Sequence, residues 1–199
     1  MNPDVRNALF LAALLCSIPA ASHAQFVNPL SLIGKAVTTA ADARTKEEVS
    51  ADIAINADAG KRLLEDKQAQ WKGVSLLTFG QHVVLAGAVK TESVKKRVAE
   101  VVRQDKRVRS LKNELVVIDK EGDGGSLVGD KLVEEKVNAA LTTTKGIGSI
   151  NMRWLSVNGH LVIMGVARTG EEASLAVAKA RSVEGVKNVK SHLRVVAAK

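Results

Sequence analysis

This sequence is short of cysteine and of aromatic side chains: one Cys, and 3% Phe, Trp and Tyr together. The cysteine, Cys16, falls in the apolar run ALFLAALLCSI (Ala8 to Ile18), too short to span a bilayer as a mature helix. That run follows Arg6 and precedes Ser22-His23-Ala24, a small-x-small cleavage pattern, so residues 1–24 read as a Sec signal peptide. A lipobox needs small residues directly before its cysteine, and Ala13-Leu14-Leu15 stand there instead. Cys16 is therefore read as an apolar residue of the leader. The chain from Gln25 onward has no thiol, which excludes disulfides, cysteine metal sites and cysteine nucleophiles. Few aromatics argue against a reader of single-stranded nucleic acid, which would stack bases on them. With 46% hydrophobic residues the composition is globular, and the core must be aliphatic and alanine-rich.

What is present is a duplication. TFGQHVVLAGAVKT (Thr78 to Thr91) and SVNGHLVIMGVART (Ser156 to Thr169) share a glycine, a histidine, an apolar run interrupted by glycine, then a basic residue and a threonine. The offset of Gly165 from Gly87, 78 residues, also pairs His82 with His160, Val108 with Val186 and Leu115 with Leu193. Between the copies lies DKEGDGGS (Asp119 to Ser126), a polar glycine-rich linker.

The second copy gives the clearer element order. Leu127 to Thr144 places Val133, Val137, Ala140 and Leu141 on one helical face. Ser149 to Val157 alternates as a strand, with Ile150, Met152 and Trp154 on one side. Asn158-Gly159 is a two-residue hairpin signal, since both centres of a type I′ turn need positive φ. The return strand, His160 to Ala167, is apolar on both sides and reads as central. Thr169 and Glu172 form a T-x-x-E capping box for a helix to about Val183. A last strand, Val186 to Val196, sets Val189, Leu193 and Val195 against Lys190, His192 and Arg194. In the first copy, Ala43 to Asp66 reads as a longer opening helix. The expected fold class is α+β: two tandem small α/β sandwiches, each helix-strand-strand-helix-strand, with two helices on one face of a three-stranded sheet.

The hairpin closing on GHLVIMG or HVVLAG, the Thr-capped helix and the EGVKNV turn (Glu184 to Val189) resemble the BON domain. Two copies behind a signal peptide resemble the dual-BON envelope proteins of Gram-negative bacteria. On this reading residues 1–24 are the signal peptide, 25–49 a leader segment, 50–118 the first BON domain, 119–126 the linker and 127–199 the second. The first copy departs from the pattern: Lys106-Arg107-Val108 stands for Gly-Val, and Gly80-Gln81 for the Asn-Gly turn. The resemblance implies a periplasmic protein that supports envelope integrity or stress tolerance, binds anionic phospholipid, and has no catalysis and no cofactor.

Residue by residue, most chemistry is absent from the pattern. His82 and His160 stand alone at matching strand starts and read as hairpin-edge residues, not metal ligands. Gly87 and Gly165 sit inside strands, where glycine permits a bulge or close helix packing. No phosphate-cradling glycine motif precedes a helix.

Charge is more informative. The chain carries +8, divided as +5 in each copy and −2 in the linker. Lys95, Lys96, Arg97, Arg103, Lys106, Arg107, Arg109 and Lys112 crowd one stretch of the first copy. Two readings stand, a solvated face that keeps the protein soluble and attraction to anionic headgroups. On the helical wheel Leu132 lies off the core face set by Val133, Val137 and Leu141, beside Val128, with Lys131, Glu135 and Lys136 around it. An apolar residue rimmed by lysine suits a helix that dips into a bilayer. Val128, Lys131, Leu132 and Lys136 are accordingly the candidate lipid-binding residues, and the partner is an anionic phospholipid surface, with no nucleic acid. A second reading is a protein-interaction module or holdase for envelope proteins. Its basis is the apolar stripes Val84, Ala86, Ala88 and Val162, Met164, Val166, which point away from the helices and need either the sister copy or a client to cover them.

Overall fold

The computed structural model describes residues 41–69, 73–118 and 127–196, less the side chains of Leu127 and Val128. The stretch read as a signal peptide, the rest of the chain up to residue 40, and residues 119–126, read as the linker, lie outside the described residues. In the first repeat the order is α1 (Lys46–Glu65), β1 (Val74–Phe79), β2 (His82–Val89), α2 (Glu92–Arg103), β3 (Ser110–Asn113) and β4 (Val116–Val117). The second runs α3 (Leu127–Thr143), a 3₁₀ turn (Ser149–Asn151), β5 (Met152–Val157), β6 (His160–Ala167), α4 (Gly170–Arg181) and β7 (Asn188–Val195). Each repeat is thus the α+β unit expected.

Helix starts follow their caps. Thr45 and Glu48 form a complete capping box on α1: the Glu48 amide donates to Thr45 Oγ1, and the Thr45 amide to the Glu48 carboxylate at 3.0 Å. Thr169 accepts from the Glu172 amide at 3.1 Å, but the reciprocal half expected for α4 is missing. The Glu172 carboxylate reaches instead to the amides of Gly148, at 2.7 Å, and Arg168, at 2.8 Å. It ties the turn after α3 to the start of α4, a longer-range duty than a cap.

In both sheets an antiparallel hairpin pairs its second strand in parallel with the strand that follows the crossover helix, so β2 and β6 are central. In the first repeat the edge strand breaks at Glu114-Leu115, leaving β3 on His82–Leu85 and β4 on Ala88 and Val89. Both hairpins use the tight turn with positive φ at two residues: Gly80 and Gln81 in the first, Asn158 and Gly159 in the second.

Strand alternation sends one set of side chains to the helices and the other to the opposite sheet. Leu76, Val83 and Leu85 pack with Ile55, Ala59, Leu63, Val98 and Val102 under α1 and α2. Met152, Leu161 and Ile163 do the same with Val137, Leu141, Ala176 and Ala180 under α3 and α4. The other faces meet each other: Leu77, Phe79, Val84 and Ala86 form one buried cluster with Leu155, Val162, Met164 and Val166. The molecule is therefore four layers, helices–sheet–sheet–helices. The sister repeat covers Val84, Ala86, Val162, Met164 and Val166 of the apolar stripes that the sequence left open, while Ala88 stays half-buried outside that cluster.

A carboxylate under each hairpin, not anticipated from the sequence, locks the turn to its helix. Asp52 on α1 accepts from the amides of Gly80, at 2.8 Å, and Gln81, at 2.6 Å. Asp130 on α3 accepts from the amides of Asn158, at 2.8 Å, and Gly159, at 3.0 Å, and from Ser156 Oγ at 2.7 Å. Both aspartates are buried, and they are 78 residues apart, the repeat offset. Truncation would strand two turn amides that have nowhere else to donate. Asp130→Ala is expected to lower stability by about 2–4 kcal/mol, from charge-assisted bonds of roughly 1.5–3 kcal/mol each and incomplete relaxation. Urea unfolding checks this, and a loss below about 0.5 kcal/mol, the range of an ordinary surface change, would show that the turn holds itself.

Candidate functional site

On α3, burial of Val133, Val137 and Leu141 against the sheet rolls the opposite side of the helix outward. Leu132 stands on that side, 52% exposed. Lys131 beside it comes within 4.0 Å of Glu134, one turn on, and Lys136 Nζ lies 2.6 Å from Glu184 Oε2, so both lysines have acidic neighbours. Glu134 is mostly buried, and that burial raises its pKa above the usual carboxylate range. Its Oε1 accepts from the Ser156 amide at 2.9 Å. Three of the four candidate residues thus share one surface. Val128 lies in the first turn of the same helix, and its side chain is outside the described residues. The character of this surface is an exposed leucine amid balanced charge more than a dense basic patch.

The basic stretch of the first copy is likewise partly answered. Arg97 pairs with Asp66 and Glu100, Arg107 with Asp58 and Asp105, and Arg109 with Glu48.

A second feature was invisible in the sequence, because its parts come from separate segments. At one end of the sheet-to-sheet junction lies a cleft of about 540 Å³ bounded by both repeats. Arg44 leads into α1, Arg109 precedes β3, Arg168 follows β6 and Arg194 sits on β7. Asn151 helps frame the cleft by gripping the chain before α1: it accepts from the Ala43 amide at 2.8 Å and donates to the Ala41 carbonyl at 3.0 Å. Arg44 is fully engaged, donating to Asp42 and Asp52 and lying 4.4 Å from the centre of the Phe79 ring. Arg153 approaches the same ring at 5.4 Å and donates to the carbonyls of Ile150 and Met152. Burial first, then the neighbouring Arg44, pull its pKa down to about 10.

Arg194 differs from these. It makes no hydrogen bond or ion pair among the described residues, and burial holds its pKa below the usual guanidinium range, with the pull of Glu48 opposing that fall and the charge of Arg109 adding to it. His82 is pushed down in the same way, by burial and then by Arg194 and Arg109. Its Nδ1 lies 2.6 Å from Ser110 Oγ, whereas the matching His160 is exposed. Among the described residues no three His, Cys, Asp or Glu side chains group as a metal ion would require, and no helix is long and apolar enough to cross a membrane.

The duplicated hairpin, crossover helix and parallel third strand are matched at the level of sequence families. Residues 51–119 and 129–197 each match the BON domain. The chain belongs to the BON domain family. Its two BON repeats are the two halves of the four-layer fold. Among curated proteins the chain is similar to an uncharacterized protein in the gshII 5′ region of Anaplasma centrale, 26% identical over 144 residues, covering 72% of this chain and 94% of that one. It is also similar to osmotically-inducible protein Y of Escherichia coli (strain K12), 25% identical over 144 residues, covering 72% of each. Among solved structures it is similar to the C-terminal domain of CdsD, the structural protein of the type III secretion system of Chlamydia trachomatis. That likeness has 16% identity and a TM-score of 0.30, covering 73% of this chain and 67% of that one, too distant to bear on function.

Proposed function

We propose that this BON protein is a periplasmic binding protein of the stress-protective kind. In this reading it docks on anionic phospholipid through α3 of its second repeat and performs no catalysis. The observation that carries the reading is Leu132, exposed on a helix whose own core face is fully occupied, with Lys131 and Lys136 beside it. An interfacial helix needs this division, one side packed in the protein and an apolar tip free to enter the acyl boundary. The signal-like leader supports export. The relation to a protein named for osmotic induction supports a role under stress. The rival reading, a holdase, drew on the stripes around Val84 and Val162, and those now face each other in a buried cluster.

Vesicle co-sedimentation tests the lipid reading. Binding to phosphatidylglycerol vesicles should exceed binding to neutral vesicles, and Leu132→Glu should remove the salt-resistant part. The loss combines burial of a leucine, roughly 1.5–3 kcal/mol when complete, with the approach of a carboxylate to an anionic surface. Melting should stay near wild type, since an exposed position lies outside the core, whereas Leu141→Glu should unfold the repeat. Equal and negligible binding to both vesicle types would end the reading.

A further inference from the structure

The cleft between the repeats holds more positive charge than its own carboxylates engage. Two acidic residues line it, and both are occupied. Asp42 is held by the Nε, Nη2 and backbone N–H groups of Arg44. Glu48 accepts from the Thr45 amide and from Arg109 Nη1 at 3.0 Å. Arg168 and Arg194 form no direct ion pair among the described residues, Arg194 feels Glu48 and Asp52 only at longer range, and Arg109 retains donors beyond its bond to Glu48. A half-buried guanidinium beside a second one is costly to hold when its counter-charges are shared with other arginines, as Glu48 is with Arg109 and Asp52 with Arg44. The apolar part of its lining comes from Phe79, Val166 and Val196, of which only Val196 is more than marginally exposed.

We propose that this cleft binds a small organophosphate, with the phosphate held by Arg109, Arg168 and Arg194 and an organic body of about glycerol size against the apolar part of the lining. Planar guanidinium forks match phosphate oxygens in pairs, which a lone lysine cannot do. A cleft of about 540 Å³ falls within the usual size of small-molecule sites. The residues come from both repeats, so the site exists only in the assembled tandem. A free phosphate ester and the headgroup of a glycerophospholipid offer the same chemistry. The cleft is separate from the α3 surface, so either assignment can fail without the other.

The test is calorimetric titration of the full mature chain with glycerol 3-phosphate and, separately, flotation with phosphatidylglycerol vesicles. Saturable one-to-one binding of glycerol 3-phosphate that Arg194→Gln weakens by about tenfold or more, the worth of a charge-assisted hydrogen bond, supports a soluble ligand. No such binding, but vesicle flotation that Arg194→Gln reduces, supports the headgroup as source. Arg168→Gln, at an exposed position, repeats each arm without risk to the fold. The proposal is overturned if neither probe binds, or if binding is unchanged in both variants.

Discussion

Gly165→Ala is expected to abolish folding of the second BON repeat, although it adds only a single methyl group. Gly165 sits in the central strand β6 at φ 130°, a conformation closed to side chains with a Cβ. A Cβ there would lie 2.1 Å from the carbonyl oxygen of Asn151, well inside contact distance. The obstacle is backbone, and it immediately precedes β5, so relief means breaking the hairpin. The expected loss exceeds about 4 kcal/mol, in the range reserved for overpacking and strained backbone. Gly87→Ala should do the same to the first repeat, where the Gly73 oxygen would lie 1.9 Å from the new carbon. Gly170→Ala is the control: it opens α4 with nothing within 4 Å, and should be neutral or mildly stabilising. Far-UV circular dichroism and an amide NMR spectrum decide it. A folded, wild-type-like Gly165→Ala protein would show that the strand can re-pair around a side chain.

Met164→Asp should have the second largest effect, because it places a carboxylate between the two sheets. Met164 is 2% exposed in the cluster shared by both repeats. A charge stranded there without a partner costs about 3–5 kcal/mol, and the cheapest escape is for the sheets to part. The wild-type chain should unfold in urea as one transition. The variant should show two, with a larger radius of gyration at low denaturant. An unchanged single transition would mean that the sheet-to-sheet contact contributes little to stability.

How much of this was legible in the sequence depends on whether a feature is local. The return strand His160–Ala167 was readable residue for residue, since Asn158-Gly159 fixes its start and Arg168-Thr169 its end. The exposure of Leu132 followed from helical geometry alone. The roles of Gly87 and Gly165 were only half readable. Their place inside strands suggested a bulge or a helix packed close, but what approaches is the carbonyl of the residue before the partner strand. The stripes on β2 and β6 were visible, yet alternation cannot say what covers a face. Nothing in the local sequence around Asp52 and Asp130 sets them apart from other helix acids. The signal that could have found them is their shared offset, together with an acid on an otherwise apolar face. The arginine cleft was out of reach, because Arg44, Arg109, Arg168 and Arg194 meet only after both repeats fold and stack.

The back-to-back stacking of the sheets also has a bearing on dilution. Two separate single-repeat chains with the same faces would associate by mass action and drift apart as their concentration fell. Here both partners are written into one polypeptide, so each face sees the other at an effective concentration fixed by the tether and not by the amount of protein. The contact is then unimolecular. It holds equally well for a scarce protein and an abundant one, and in a compartment whose volume swells or shrinks.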